Sequence, residues 1–328
     1  MDKKKEEILE IVRSFPEQFW KAVEIGYSWK PPARLKGKKF RGVVICGMGG
    51  SGIGGLIAKG LLEEKSPVPI FISQDYSLPK FADKGWLAVI VSYSGNTEET
   101  LSAFREAKKR KMGIACISSG GILSEECENC ISIPSGFAPR TQLGMTFVPV
   151  MAVLEKTGIA CAGAEIEKTA VFLGSSIGWA EEDGRKIASF LKGKSPVVYS
   201  TRKFGSAALR FHAQLAENSK VFSHWNFLPE LNHNEIVGFK PLEKNLAFVL
   251  FRERGETERE RRRMEFTKKI ICKKSRFIEV WAKGNTAMEK LFYFIMAGDF
   301  ASYYLAFQNR SDPLKVENIE RLKKELKK

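Results

Sequence analysis

In "VSYSGNTEET", residues 91–100, an apolar strand runs directly into Ser92, Ser94, Gly95, Asn96 and Thr97, and a helix follows. Open parallel sheets place their ligands at the carboxyl ends of strands, and the N–H groups that open the next helix face an anion. Gly95 allows close backbone approach, and Asn96 with Glu99 has the spacing of a capping box. With the hydroxyls of Ser92, Ser94 and Thr97, this is a pattern for holding phosphate. Ser51, in the glycine turn "CGMGGSGIGG" after another strand, can add a fourth hydroxyl from a neighbouring strand end.

That glycine turn has a rival interpretation. Gly47, Gly49 and Gly52 satisfy the dinucleotide fingerprint, and Asp75 ends the next strand about twenty residues on, as an NAD-dependent oxidoreductase would require. A plain tight turn with close helix packing is the bland alternative. The Gly-Lys-Ser/Thr ending of a nucleoside triphosphate loop is absent. A dinucleotide fold has no need of the second, hydroxyl-rich loop, whereas a sugar phosphate does.

The elements that must hold these loops alternate strand and helix. Residues 1–30 predict an N-terminal helix with an apolar stripe at Ile8, Ile11, Val12, Phe15 and Phe19, followed by the breaker-rich "KPPARLKGKKF". Residues 31–150 form a first domain in which "FRGVVICG", "VPIFIS", "WLAVIVS", "MGIACISS" and "CISIPSG" alternate with helical segments. Residues 151–192 form a helical bridge. Residues 193–328 form a second domain built on "SPVVYST", "NLAFVLFRE" and "SRFIEVWAKG" and closed by a basic C-terminal helix. The expected class is α/β, two doubly wound domains each with a parallel sheet flanked by helices.

Length and composition agree: 328 residues with 44% apolar content can fill two cores. No apolar run is long enough to span a membrane, and "MDKKKEEILEIV" has no signal-peptide core. Six cysteines in mostly apolar surroundings predict a reduced, cytoplasmic protein. Cys127 and Cys130 form a C-x-x-C pair that lacks a second pair or nearby histidine, so packing is expected there and no metal. The net charge of +15 comes without a nucleic-acid-binding motif and suits attraction of small anions. The charged run "FRERGETERERRRMEFTKK" mixes both signs and predicts a solvated loop and helix face.

The S-x-S-G-x-T-x-E-T pattern, paired with the upstream G-G-S-G loop, resembles sugar isomerase (SIS) domains. Two such domains, with the segments "AENSK" and "LPELNHNEIVGF", resemble the bifunctional phosphoglucose/phosphomannose isomerases of the phosphoglucose isomerase superfamily, over nearly the whole chain. The resemblance implies interconversion of glucose 6-phosphate, and also mannose 6-phosphate, with fructose 6-phosphate. Such chemistry needs ring opening, proton transfer between adjacent carbons and a stabilised enediolate, and no cofactor.

Carried over residue by residue, the resemblance makes Glu217 the base that moves the proton between C1 and C2. His233 becomes the ring-opening acid/base, contributed by the neighbouring subunit of a homodimer. Arg140 in "FAPRTQLGMTF" stabilises the enediolate. Gly50, Ser51, Ser92, Ser94 and Thr97 hold the phosphate. Lys323 in "VENIERLKKEL" assists ring opening, with Lys324 adjacent. The family's threonine near this end, which leaves room for the mannose epimer, has no counterpart in "SDPLKVENIER", and that sets dual specificity apart from isomerisation itself.

The residues alone leave blander options. Arg210, Gln214 and Glu217 share a helix face that reads as a solvated polar stripe opposite Leu209, Ala213 and Ala216. His212 falls on a different face from Glu217, and His224, without a polar cluster, has packing or surface duty. A non-catalytic sugar-phosphate-binding regulator of the same fold remains an alternative, as does the oxidoreductase.

Overall fold

The structure, a computed structural model, describes residues 3–239 and 245–326. They divide into two compact units, one of Arg13–Ser175 with Thr286–Met288, the other of the remaining described residues. The chain opens with α1 (Lys3–Arg13) and α2 (Phe15–Ser28). The single N-terminal helix expected from the sequence is thus two, broken at Ser14, with Pro16 in the first turn of α2. Proline fits there because first-turn N–H groups have no helical partner to lose. Of the predicted stripe, Ile8, Val12, Phe15 and Phe19 are buried.

The first unit carries β1 (Gly42–Cys46), α3 (Gly49–Leu62), β2 (Ile70–Ser73), β3 (Trp86–Ser92), α4 (Glu98–Lys109), β4 (Gly113–Ser118), α5 (Gly121–Glu126), β5 (Cys130–Ser132) and α6 (Leu143–Lys156). Its sheet runs β2-β1-β3-β4-β5, and every pair is parallel. β1 and β3 are buried along their whole length, which is why their sequences, GVVIC and WLAVIVS, are nearly continuous apolar runs rather than alternating ones. From β1 the chain crosses to β2 on one side and then to β3 on the other. The strand order therefore reverses between β1 and β3, and the turns leaving those two strands border the crevice.

The long helix α7 (Gly163–Leu191) leads to β6 (Ser195–Thr201), α8 (Gly205–Glu217), β7 (His224–Leu228), β8 (Leu246–Arg252), α9 (Glu258–Ile271), β9 (Arg276–Trp281), α10 (Ala287–Gln308) and α11 (Glu317–Glu325). This second sheet has the order β7-β6-β8-β9, again all parallel, repeating the first sheet's reversal between β6 and β8. β7 was not foreseen, because HWNFL is a short edge strand with a polar centre. Its core includes Phe251 stacked on Phe294 at 4.5 Å, with Phe204 edge-on to Phe294 at 5.1 Å, contacts worth about 0.5–1.5 kcal/mol each beyond area burial.

The charged run after β8 differs from its prediction. α9 does begin with a capping box, Thr257 with Glu260. Arg252, however, is only 1% exposed. Its guanidinium reaches Glu256 at 2.7 Å, Glu265 at 2.7 Å and Glu279 at 2.5 Å. Three carboxylates offset the cost of burying one cation, so part of what looks like a solvated face is an internal tie between β8, α9 and β9.

Candidate active site

The two loops of the first unit meet at the sheet's reversal point. Ser51, 7% exposed in the first turn of α3, accepts a hydrogen bond at Oγ from the backbone N–H of Tyr93 at 3.0 Å. Ser92, the last residue of β3, donates from Oγ to Thr97 Oγ1 at 3.1 Å. Ser94 accepts from Asn96 N–H at 3.3 Å and is exposed. The expected capping box is not formed. Thr97 is the N-cap of α4 without a side-chain cap, and Asn96 instead accepts from the N–H of Ile122 at 3.1 Å. Asn96 thus braces the loop from outside and leaves the first turn of α4 uncovered by its own side chain.

Gly95 has φ +70, and a Cβ there would lie 1.8 Å from the carbonyl oxygen of Gly120. No L side chain fits. Gly50 shows a second tight approach: a Cβ would stand 2.9 Å from the carbonyl of Pro139 and 3.0 Å from the N of Arg140. The glycine turn thereby rests on the 3-10 turn Pro139–Thr141 that carries Arg140, itself 6% exposed. Tyr93 Oη accepts from Phe137 N–H at 3.1 Å and fastens the same segment to the hydroxyl loop. Gly50, Ser51, Ser92, Ser94, Thr97 and Arg140 are therefore brought to one end of one sheet. Asp75 lies beyond β2 and caps its neighbour Tyr76 N–H at 2.6 Å.

In the second unit Glu217 is the last residue of α8 and half-buried. The stripe thought to be solvated is the buried face of this helix. Arg210 and Gln214 are 4% and 2% exposed, and both bind Asp299 on α10. Arg210 does so bidentately, at 3.1 and 2.6 Å. Burial pushes the Asp299 carboxyl up, against the pull of Arg210 and Gln214. Leu209 and Ala213 are half-buried and Ala216 is exposed.

The residues after Glu217 explain the E-N-S-K segment. Asn218 donates to Ser302 Oγ at 2.9 Å and Ser219 Oγ donates to the Ser302 carbonyl at 2.6 Å, locking the end of α8 onto α10. Lys220, at φ +57, donates to the carbonyls of Glu217 at 2.5 Å and Lys315 at 2.7 Å. A cavity of about 510 Å³ opens there, lined by Glu217, Lys220, Ser311, Asp312, Lys315 and Val316 among others. Its lining includes neither His233 nor Lys323. His233 ends the 3-10 turn Glu230–His233 and is exposed, while Asn232 bonds Thr267 and Asn234 bonds Glu230 to shape the turn around it. Lys323 lies on α11, a helix that buries none of its residues.

Two features escaped the sequence. His224 does sit in a polar cluster: Nε2 is 2.9 Å from Glu235, which also accepts from Asn226 at 2.7 Å and from the Tyr199 hydroxyl. Burial, with His224 close by, holds the His212 pKa down. At the second sheet's reversal point, Glu253 follows β8 and binds Lys203 at 2.8 Å and Lys290 at 2.7 Å. The place that carries hydroxyls in the first sheet carries an internal carboxylate in the second. Its only sequence signal was a Lys and a Glu each just past a strand, too common a pattern to act on.

Residues 38–155 match the SIS domain family, and residues 180–326 match the bacterial phospho-glucose isomerase C-terminal SIS domain. A bifunctional phosphoglucose/phosphomannose isomerase of Aquifex aeolicus is 36% identical over 98% of this chain and 99% of its own length. The chain belongs to the bifunctional phosphoglucose/phosphomannose isomerase family. The Thermoplasma volcanium bifunctional phosphoglucose/phosphomannose isomerase is likewise 36% identical, over 88% of this chain and 92% of its own. The fold is shared more widely. The C-terminal domain of glucosamine-fructose-6-phosphate aminotransferase from Francisella tularensis superposes with a TM-score of 0.75 at 17% identity, covering 93% of this chain and 96% of that one. None of the helices described is long and apolar enough to cross a membrane.

Proposed function

We propose that this protein interconverts glucose 6-phosphate and fructose 6-phosphate, and mannose 6-phosphate and fructose 6-phosphate, in the cytoplasm as a homodimer. The observation that carries this reading is the hydroxyl-lined reversal point in a chain that aligns end to end with a bifunctional isomerase. In the proposed reaction the phosphate is held by Gly50, Ser51, Ser92, Ser94 and Thr97. His233 of a second copy, assisted by Lys323, passes the proton that opens the ring. Glu217 takes the proton from C2 of the open aldose and returns it to C1, and Arg140 stabilises the enediolate between these steps.

Several features support these roles. Glu217 is fixed at a helix end beside a cavity, and the exposure of His233 suits service to another copy. Arg140 is held against the glycine turn. We keep domain limits of 31–150 and 193–328 with a helical bridge over 151–192; the family matches, 38–155 and 180–326, fall one in each half of the chain, the second beginning within that bridge. No cofactor is needed for this chemistry.

The test is an assay of purified protein with fructose 6-phosphate in EDTA, with the products separated. Glucose 6-phosphate is expected, with mannose 6-phosphate beside it. Glucose 6-phosphate alone would remove the second specificity. Tight fructose 6-phosphate binding with no product would replace the isomerase by a sugar-phosphate regulator, and turnover only on addition of NAD would replace it by an oxidoreductase.

A further inference from the structure

Away from the phosphate loops, the first unit gathers three thiols on one side of its sheet. β4 and β5 pair in parallel with Cys116 opposite Cys130, so their side chains share a face. The chain returns from α5 at Cys127, which packs with Cys116 and Cys130 in one apolar cluster. A cavity of about 390 Å³ reaches Cys127 from the surface, and Arg34, Lys108 and Lys111 line it with Glu126 and Glu128. Glu126 is paired to Arg105 at 2.9 Å and Glu128 lies 3.9 Å from Arg34, which leaves the mouth of the cavity net positive.

We propose that Cys127 is a modification site, a thiol oxidised by small hydroperoxides and then closed onto Cys116 as an intrachain disulfide. The cavity gives a small oxidant a route to a side chain that is otherwise 6% exposed, and the positive lining favours the thiolate that must attack. The ionisation is divided accordingly. Hydrogen bonding from Cys116 chiefly lowers the Cys127 pKa, to about 7 against the opposing effect of burial, with help from the Asn129 N–H, Arg34 and Lys108. Cys116, fully buried on β4, is pushed up by burial and stays a thiol.

In the first step the Cys127 thiolate attacks one peroxide oxygen. The O–O bond breaks, a sulfenic acid forms, and the other oxygen leaves as water or alcohol after taking a proton. In the second step the Cys116 sulfur attacks the sulfenic sulfur. The S–O bond breaks, the S–S bond forms, and the hydroxide leaves as water with the proton of Cys116. Two thiols lose two electrons in all, and one hydroperoxide is reduced by two.

Access alone predicts a different outcome, because Cys161 and Cys272 are the exposed cysteines. The experiment treats the full chain with one equivalent of hydrogen peroxide at pH 7 and digests it without reduction. No Lys or Arg lies between Met112 and Arg140, so trypsin releases Cys116, Cys127 and Cys130 in one peptide, expected to be lighter by two hydrogens. Cleavage after Glu126 and Glu128 should then show Cys116 joined to Cys127. In Cys116→Ser, dimedone should trap a sulfenic acid on Cys127, and Cys127→Ser should abolish both signals. Oxidation confined to Cys161 and Cys272 in the wild-type protein, with peptide 112–140 still reduced, would overturn the proposal whether or not the variants fold. A cross-link through Cys130 instead would overturn the assignment of Cys116.

Discussion

At Glu217 the proposed chemistry rests on a single carboxylate whose backbone carbonyl accepts from Lys220 and whose helix end is tied to α10 by Asn218 and Ser219. Glu217→Gln keeps the shape and removes the base. Its kcat should fall by about 10²-fold or more, the scale of general-base catalysis. Ser94→Ala should instead raise KM with kcat largely kept, since a phosphate contact persists from substrate to transition state. Steady-state kinetics on the two variants separates the roles, and a Glu217→Gln enzyme of near-normal kcat would remove that residue as the base. The hydroxyl loop was legible because its signal is local: Ser92, Gly95 and Thr97 lie within one strand–turn–helix. The polar stripe Arg210–Gln214 misled because its partner, Asp299, is 89 residues away, and a side chain with a distant partner looks solvated in sequence.

Among the elements, the ends of β6 and β8 offer the sharpest contrast with the ends of β1 and β3. The topology is the same, but Glu253 sits between Lys203 and Lys290 where the first sheet has hydroxyls. Burial alone would raise the Glu253 pKa, but the hydrogen bonds from the two lysines outweigh it and the net shift is downward. A carboxylate with a depressed folded-state pKa contributes stability above its unfolded pKa, and that contribution is lost as pH falls through the folded value. Glu253→Gln should therefore cost about 2–3 kcal/mol at pH 7. This lies below the ~3–5 kcal/mol of breaking a fully buried pair because Lys203 is partly exposed. The Tm difference from wild type should shrink as pH drops below about 4. Thermal melts across that range check it, and a constant difference would show that the residue acts by packing alone.

For the whole molecule, the proposed dimer makes a prediction that no single chain can satisfy. Glu217→Gln and His233→Ala should each be nearly inactive as pure dimers. Mixed under conditions of subunit exchange, they should recover activity, because a hybrid holds one site with Glu217 from one chain and His233 from the other. Mass spectrometry of the mixture verifies exchange, and hybrids without activity would point to a site that each chain completes by itself.

The sequence by itself determined the α/β class, the paired strand-first halves and the glycine and hydroxyl turns at residues 47–52 and 92–97, because apolar periodicity and glycine–hydroxyl turns are encoded over a few neighbouring residues. Only the tertiary structure decided which charges are internal. Arg252 on Glu279, Arg210 on Asp299 and Glu253 between Lys203 and Lys290 all pair across elements 27 to 89 residues apart in sequence. The cost of burying a charge is offset by whatever partner the fold brings within about 3 Å, and no local pattern specifies that partner.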